Sequence, residues 1–460
     1  MNKNFLLICL LFNFLIGKAQ CIASFSVGGG HSAAIKEDGT LWTWGSNMRH
    51  QLGDGTQTNR NIPTKIGLDM DWKSVACGEN FTIAVKNNGT LWYWGEPAFL
   101  PLGGLGSIFF TPTQLGTDTD WKNVNAGGSL VITQKNDGTL WSCGYNAHGE
   151  AGQGEISTWW PTLTQIGLDN TWSKLSLSEL HVLAIKTNGT LWAWGFGTSG
   201  QLGDGNNTNA STPIQIGVDN DWKSVSAGRV HSGATKSNGT IWVWGNNGYG
   251  ALGDNTTINA NTPRRVGIAQ DWKIIECGNN STFAVNTNNE LYTWGWAGSS
   301  QLAIGAYNPG VVLAPVLRSN SFNLQAILSS TVGTHVIAVD DNDSIISWGG
   351  NGLGQLGNGT NSIAYTPIGI GCPSAFLNVE SNNYKDPIQL YPNPIENYLY
   401  IANSSNQSIQ DISIYDVAGK NIYFHFGLES IIDLSKFKSG LYFLRCRTHS
   451  KSYTYKFVKK

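Results

Sequence analysis

Trp42-Thr-Trp-Gly45 recurs at intervals of about fifty residues, as Trp92-Tyr-Trp-Gly95, Trp141-Ser-Cys-Gly144, Trp192-Ala-Trp-Gly195, Trp242-Val-Trp-Gly245, Tyr292-Thr-Trp-Gly295 and Ser347-Trp-Gly349. A fixed period of this length marks an array of one supersecondary unit. Seven copies is a count at which four-stranded units close into a ring.

Reading outward from the second copy gives the unit. Trp72-Lys-Ser-Val-Ala alternates apolar and polar residues, as a half-buried strand does. Phe81-Thr-Ile-Ala-Val-Lys86 alternates again, and Asn87-Asn-Gly89 is a hairpin turn whose glycine can take positive φ. Thr90 to Gly95 forms a third strand. Thr111-Pro-Thr-Gln-Leu115 forms a fourth, edge strand, where a proline is tolerated. The turn recurs with glycine at Gly39, Gly138, Gly189 and Gly239, then degrades to Asn288-Asn-Glu290 and Asn342-Asp-Ser344. The strand-opening Trp recurs at Trp121, Trp172, Trp222 and Trp272, with Phe25 and Phe322 expected in its place in the first and last copies. The fold expected is all-β, a seven-bladed β-propeller of four-stranded blades over residues 24–371. The tryptophans are expected as the apolar filling between blades, with a sugar-binding aromatic ring as the rival reading.

Composition agrees. Charged residues make up 13%, and there are 56 glycines and 19 tryptophans, which suits a turn-dense β protein poor in long amphipathic helices. A formal charge of −2 gives no electrostatic case for nucleic acid or an anionic membrane. Met1-Asn-Lys-Asn, the apolar run Phe5 to Ile16 and Gly17-Lys-Ala19 read as a signal peptide over residues 1–19. The rival is a lipoprotein anchored through Cys21, but Gln20 is not the small residue such a site needs. No later segment is apolar for long enough to cross a membrane.

Cys21, Cys77, Cys143, Cys277, Cys372 and Cys446 form no CxxC pair, so zinc and thioredoxin-like readings lack support. Cys21 and Cys372 bracket the array. In a closed ring they meet, and either a bridge there locks the closure or both remain thiols. Cys77 and Cys277 share a repeat position and are expected as small buried hydrophobes.

Copies such as Ala227-Gly-Arg-Val-His-Ser-Gly-Ala-Thr-Lys-Ser-Asn-Gly-Thr-Ile-Trp-Val-Trp-Gly245, with Gly200-Gln-Leu-Gly-Asp-Gly205, resemble the regulator of chromosome condensation repeat. That resemblance implies a seven-bladed propeller. Glu96 to Ser107 in blade 2 and Trp296 to Ala314 in blade 6 depart from it. Beyond a polar linker at 372–387 the grammar changes. Tyr391-Pro-Asn-Pro394, Tyr415-Asp-Val-Ala-Gly-Lys420, Ser439-Gly-Leu-Tyr442 and a Lys-rich end read as a small β-sandwich. As an ordered set they resemble the C-terminal sorting domain of type IX secretion, over residues 388–460. This implies a Bacteroidetes-type bacterium, Sec export to the periplasm, and passage through the type IX machinery to the outer-membrane surface or the medium.

No catalytic constellation stands out. His31, His181, His231 and His335 share one repeat position, but Phe81, Leu130 and Ser281 occupy it elsewhere, so a metal ligand is not required there. A histidine bonding the turn inside its own blade is expected, with a ring around the channel as the alternative. Asp54, Asp204 and Asp254 are one per blade, and Asp340-Asp-Asn-Asp343 lacks the glycine and distal Glu of a calcium loop. Nucleophile elbow, P-loop and HExxH motifs are absent. No cofactor and no metal are expected.

The loops before the fourth strand are polar in most copies, but blade 2 carries Phe109 and Phe110, and blade 3 carries Trp159 and Trp160. Phe110 and Trp159 each lie two residues before a proline, so they are expected at equivalent positions on adjacent blades. They form either an exposed ligand-binding patch or local packing. The function expected is a monomeric, secreted or surface-displayed binding propeller without catalysis, its ligand an extracellular protein or glycan. Alternatives are inhibition of a secreted enzyme, as a similar propeller inhibits β-lactamases, and guanine-nucleotide exchange, the activity of the family's founding nuclear member. Export argues against the latter.

Overall fold

The computed structural model describes residues 21–96, 108–298, 300–306, 310–319, 322–372, 388–391, 397–403, 409–416, 419–427, 431–448 and 452–459. The expected signal peptide at 1–19, linker residues 373–387 and loop residues 97–107 lie outside these. Two compact units divide the chain, residues 1–374 and 375–460.

The first unit carries seven four-stranded antiparallel sheets, each built from strands consecutive in sequence. Blade 1 spans residues 22–66, blade 2 72–115, blade 3 121–165, blade 4 172–215, blade 5 222–265, blade 6 272–319 and blade 7 324–371. In blade 2 the strands are Trp72–Cys77, Phe81–Lys86, Leu91–Gly95 and Phe109–Leu115. The Asn-Gly-Thr-x-Trp sequence of its hairpin follows from local hydrogen bonding. Gly89 takes φ +78°. Thr90 donates from both its N and its Oγ1 to Asn88 Oδ1 (3.1 and 2.7 Å), and Trp92 Nε1 donates to Thr90 Oγ1 at 2.8 Å. A Cβ on Gly89 would collide with the Thr119 carbonyl arriving from the next blade, so this glycine is required twice. At the degenerate turns Asn289 and Asp343 themselves take positive φ, 62° and 56°, the region Asn and Asp tolerate best.

Strand register corrects one expectation. Trp72 pairs with Lys86, and the residues in that register in blades 1 and 7 are Ile22, opposite Lys36, and Leu324, opposite Asp340. Phe25 stands instead opposite Ala34, as Val75 stands opposite Ala84, and lines the central channel. Phe322 precedes its strand and packs partly against the blade 6–7 core. The same bulge follows the first residue of the strand in blade 2, and Ile22 keeps the spacing to its hairpin that Trp72 keeps, so only residue type differs there. In blade 7 the loop between Ser329 and His335 is also longer than that between Cys77 and Phe81.

In every blade but the third, where Cys143 stands, the Trp just before the motif's glycine is the wedge between blades. Trp44, Trp94, Trp194, Trp244, Trp294 and Trp348 are fully buried. Each indole donates to a loop carbonyl of the preceding blade, at Gln355, Gln51, Glu150, Gln201, Ala251 and Gln301 respectively. The last blade is bonded to the first through the same contact, so the ring closes.

The histidines also cross between blades, which corrects the expectation that they bond their own turn. His31 Nε2 lies 2.9 Å from Thr82 Oγ1, and Thr82 donates its hydroxyl proton to the Gln51 carbonyl at 2.7 Å. That proton is spent, so His31 must donate from Nε2. His181, His231 and His335 repeat the arrangement on Ser232, Thr282 and Ser32. The Nδ1 atoms of His31, His231 and His335 are buried without a partner. Burial lowers the four imidazoles, His31 and His181 to about 3 and His231 and His335 to about 4, with His335 adding to the effect on His31 and His231 to that on His181. They are neutral structural donors.

Blade 1 and blade 7 are each complete from one stretch of chain, so no shared blade locks the ring. Cys21 and Cys372 form a disulfide at that seam, Cα atoms 6.1 Å apart. Cys77, Cys143, Cys277 and Cys446 are buried free thiols. The second unit holds two sheets, Ile388–Tyr391, Tyr398–Asn403 and Ile431–Asp433 in one, and Asn421–Phe426, Ile409–Asp416, Gly440–Thr448 and Ser452–Lys459 in the other. Leu399, Ile401 and Ile432 from the first pack with Ile412, Leu444 and Phe457 from the second as a sandwich core.

Candidate functional site

Among the cavities of the described residues, two bring carboxylates into their walls. The first is the central channel, about 250 Å³, lined by the inner strands. Among the described residues its one carboxylate is Glu276, which accepts from Ser329 N (3.0 Å) and from Ser226 Oγ (2.9 Å). Burial pushes its carboxyl up to about 7 despite those bonds. Ser26, Ser176 and Ser226 hold the corresponding register in other blades and accept there from the next blade's N–H groups. Glu276 thus substitutes for a serine in a belt of interblade bonds, and the channel reads as structural.

The second is on the face carrying the loops between first and second strands and between third and fourth strands. Phe109 opens the fourth strand of blade 2 and is partly buried, edge-on to Tyr93 at 6.0 Å. Phe110 is 52% exposed and stands edge-on to His50 of blade 1 at 4.1 Å. Trp159 stands opposite Tyr145 of its own blade, ring centroids 5.3 Å apart at 72°. Trp160 is half-buried opposite Gly144, its Nε1 buried without a partner.

Phe110 and Trp159 are not equivalent. Gly95 pairs with Phe109 and Gly144 with Trp160, so Phe110 matches Pro161, and Trp159 matches Ile108. Counting back from the proline misleads because Pro161 sits one residue after the glycine's partner, whereas Pro112 sits three after it. Phe110 therefore turns toward blade 1, and Trp159 faces blades 2 and 4.

Around Trp159 is a cavity of about 300 Å³ lined by Glu79, Gly128, Ser129, Tyr145, Trp159, Glu179 and Leu180. Gly128 joins the two acids: its carbonyl accepts from Glu79 N at 2.8 Å, and a Cβ on it would press on Glu179. Glu179 also holds Arg229 Nε at 2.6 Å. Behind Tyr145, the fully buried Glu150 accepts from His148 N (2.8 Å) and His148 Nδ1 (2.7 Å), which fixes an imidazole against Tyr145 and Phe196. Sequence reasoning missed Tyr145, Glu79, Glu179 and the His148–Glu150 pair. The available signal was Glu150 in the place of the Gln of Gly-Gln-Leu-Gly, and acids where Gly29 and Asn279 stand in other blades. Among the described residues no group of three or more His, Cys, Asp or Glu is arranged to hold a metal.

Over residues 12–333 the sequence matches the RCC1-like domain. The chain belongs to the RCC1-like domain family. This RCC1-like propeller is similar in structure to human WBSCR16, at TM-score 0.63 and 20% identity, covering 73% of this chain and 94% of that one. It is also similar to yeast RCC1 (Prp20), seen bound to Kap60, at TM-score 0.59 and 20% identity, covering 67% and 78%. At these identities the likeness concerns the fold. A curated relative, the X-linked retinitis pigmentosa GTPase regulator homolog of Caenorhabditis elegans, is 38% identical over 61 residues, which is 13% of this chain and 4% of that protein. The chain thus spans about 4% of that relative's length. Residues 389–460 match the secretion system C-terminal sorting domain, so the RCC1-like propeller carries a type IX sorting tail that indicates export to the cell surface or secretion. No helix among the described residues is long and apolar enough to cross a membrane.

Proposed function

We propose that the protein is a non-catalytic binding propeller, delivered by its sorting tail, that recognises an extracellular protein or glycan through the loop face of blades 2 to 4. The observation that carries this is local. The repeat grammar holds around most of the ring, and where it breaks on this face it leaves Phe110 exposed and an aromatic, acid-lined cavity beside Trp159. An exposed aromatic ring and, separately, a cavity walled by half-buried aromatics are the anchors and pockets that binding surfaces use. In the same reading residues 1–19 direct Sec export, 388–460 engage the type IX machinery, and the propeller acts as a monomer. Inhibition of a secreted enzyme is one form this binding can take. Exchange activity on a GTPase is disfavoured because the sorting tail sends the chain out of the compartment where GTPases work.

The test is a glycan array and a pull-down from extracellular material with the full chain. Phe110→Ser with Trp159→Ser is expected to abolish capture while leaving the thermal midpoint within a few degrees of the parent. Capture unchanged in that double variant would overturn the loop-face assignment. A loss of fold would show instead that these rings are core.

A further inference from the structure

We infer that the cavity formed by Tyr145, Trp159, Glu79 and Glu179 binds the ammonium group of a lysine side chain presented by an extracellular protein partner. The inference deepens the loop-face reading above and rests on it.

The molecule itself supplies the chemical precedent, four times over. Lys86 Nζ sits 4.8 and 4.5 Å from the rings of Trp72 and Trp92, which meet at 78°, and it pairs with Asp69 and Asp71. Lys135 lies 4.7 Å from both Trp121 and Trp141, which meet at 90°, with Asp118 and Asp120. Lys236 repeats this between Trp222 and Trp242 with Asp219 and Asp221, and Lys186 between Trp172 and Trp192 with Asp169. Two rings at a steep angle, plus carboxylates, is how this fold holds an ammonium group.

The loop-face cavity has the same parts: two rings inclined at 72° and two carboxylates in its wall. Steeply inclined rings form a corner that faces a cation from two sides.

The local charge points the same way. Glu79 is exposed and has no ion pair among the described residues. Glu179 already accepts one cationic side chain, that of Arg229. Burial first, and then Glu150 and Glu179, hold the Tyr145 phenol above its usual range, so negative potential reaches the ring floor. A partner's lysine can reach Glu79 and the ring corner together.

The experiment is calorimetric titration of the full chain with tetralysine, ε-acetylated tetralysine, cadaverine and maltoheptaose, at low and moderate salt. Saturable tetralysine binding is expected, weakened at least fivefold by either Glu79→Gln or Trp159→Leu, lost on acetylation, and weakened by salt. Since Glu79 is exposed, Glu79→Gln keeps the test valid even where Trp159→Leu perturbs folding. Tetralysine binding that ignores Glu79→Gln, or no tetralysine binding at all, overturns the assignment. Cadaverine binding as tightly as tetralysine overturns the peptide source in favour of a free amine. Maltoheptaose binding abolished by Trp159→Leu overturns the cation site and leaves the loop-face reading standing.

Discussion

Trp94 donates its indole N–H to the backbone carbonyl of Gln51, 3.0 Å away across the junction of blades 1 and 2. The same carbonyl accepts from Thr82 Oγ1, which in turn accepts from His31 Nε2. One backbone oxygen thus gathers a wedge, a hydroxyl and an imidazole. The leading repeat signal in the sequence, the second Trp, is half of a bond whose other half lies about forty residues earlier.

Removing that wedge opens a hole at a blade junction. Trp94→Ala is expected to cost about 3–5 kcal/mol, the usual range for a buried aromatic, since neighbouring sheets cannot collapse inward without breaking the ring. Chemical denaturation measures it. A loss below about 1 kcal/mol would mean that the blades slide to fill the gap.

The four buried histidines make stability depend on acid. Their folded pKa values lie at about 3 to 4, below the ordinary 6.5, so the unfolded chain binds protons that the folded one refuses. The histidine contribution is therefore complete above pH 6.5 and falls as pH drops toward 4, each histidine costing on the order of 1.4 kcal/mol for every pH step of one below 6.5. Urea midpoints at pH 7.5, 5.5 and 4.5 should fall in that order. His231→Phe, which copies the Phe81 that blade 2 carries at the same repeat position, should flatten the slope.

Glu276 acts in the opposite sense. Its folded pKa of about 7 exceeds the ordinary 4.5, so its contribution is intact below pH 4.5 and is lost as pH rises through 7. Glu276→Gln is expected to raise the thermal midpoint at pH 8 and to change it little at pH 5. Equal shifts at both pH values would show that the carboxylate is not burdened by its channel setting.

The seam between blades 7 and 1 depends on a covalent bond. Cys21–Cys372 closes a loop across 351 residues of sequence separation. Such a crosslink restricts the unfolded chain by about 3–5 kcal/mol. Reduction, or Cys372→Ser, should lower the midpoint by several degrees, and proteolysis should begin at blade 1 or blade 7. An unchanged midpoint would mean that the interblade bonds of Trp44, Ser32 and Ser330 suffice.

What could be read from the sequence was whatever repeats. Turn, wedge and strand recur, so their period gives blade number and fold without any knowledge of contacts. Register was less legible. Ile22 and Leu324 hold the Trp position without its residue type, and the early Pro161 made Trp159 look like the counterpart of Phe110. The histidines were visible, but their partners lie about fifty residues on, in the next blade. The acid-lined cavity was hidden for the same reason. Glu79, Tyr145 and Glu179 come from three consecutive blades and meet only where those blades pack side by side.

The internal lysine sites allow the energy of the proposed cation site to be gauged. Burial alone would pull the Lys236 ammonium below its usual pKa, but Asp219 and Asp221 outweigh it and hold it above. The lysine side chain is 8% exposed and its two acids 53% and 42%, so solvent screens much of the attraction. Lys236→Met keeps the stem between Trp222 and Trp242 while removing the charge, and should cost about 1–2 kcal/mol, part from cation–π loss and part from two unneutralised acids. Pairing it with Asp219→Asn separates the parts. If the double variant recovers nothing, the rings carry the interaction. At the corner of Tyr145 and Trp159, Trp159→Leu should then harm tetralysine binding more than Glu79→Gln, which still weakens it. If the double variant recovers nearly everything, the carboxylates dominate, and Glu79→Gln should harm tetralysine binding more than Trp159→Leu.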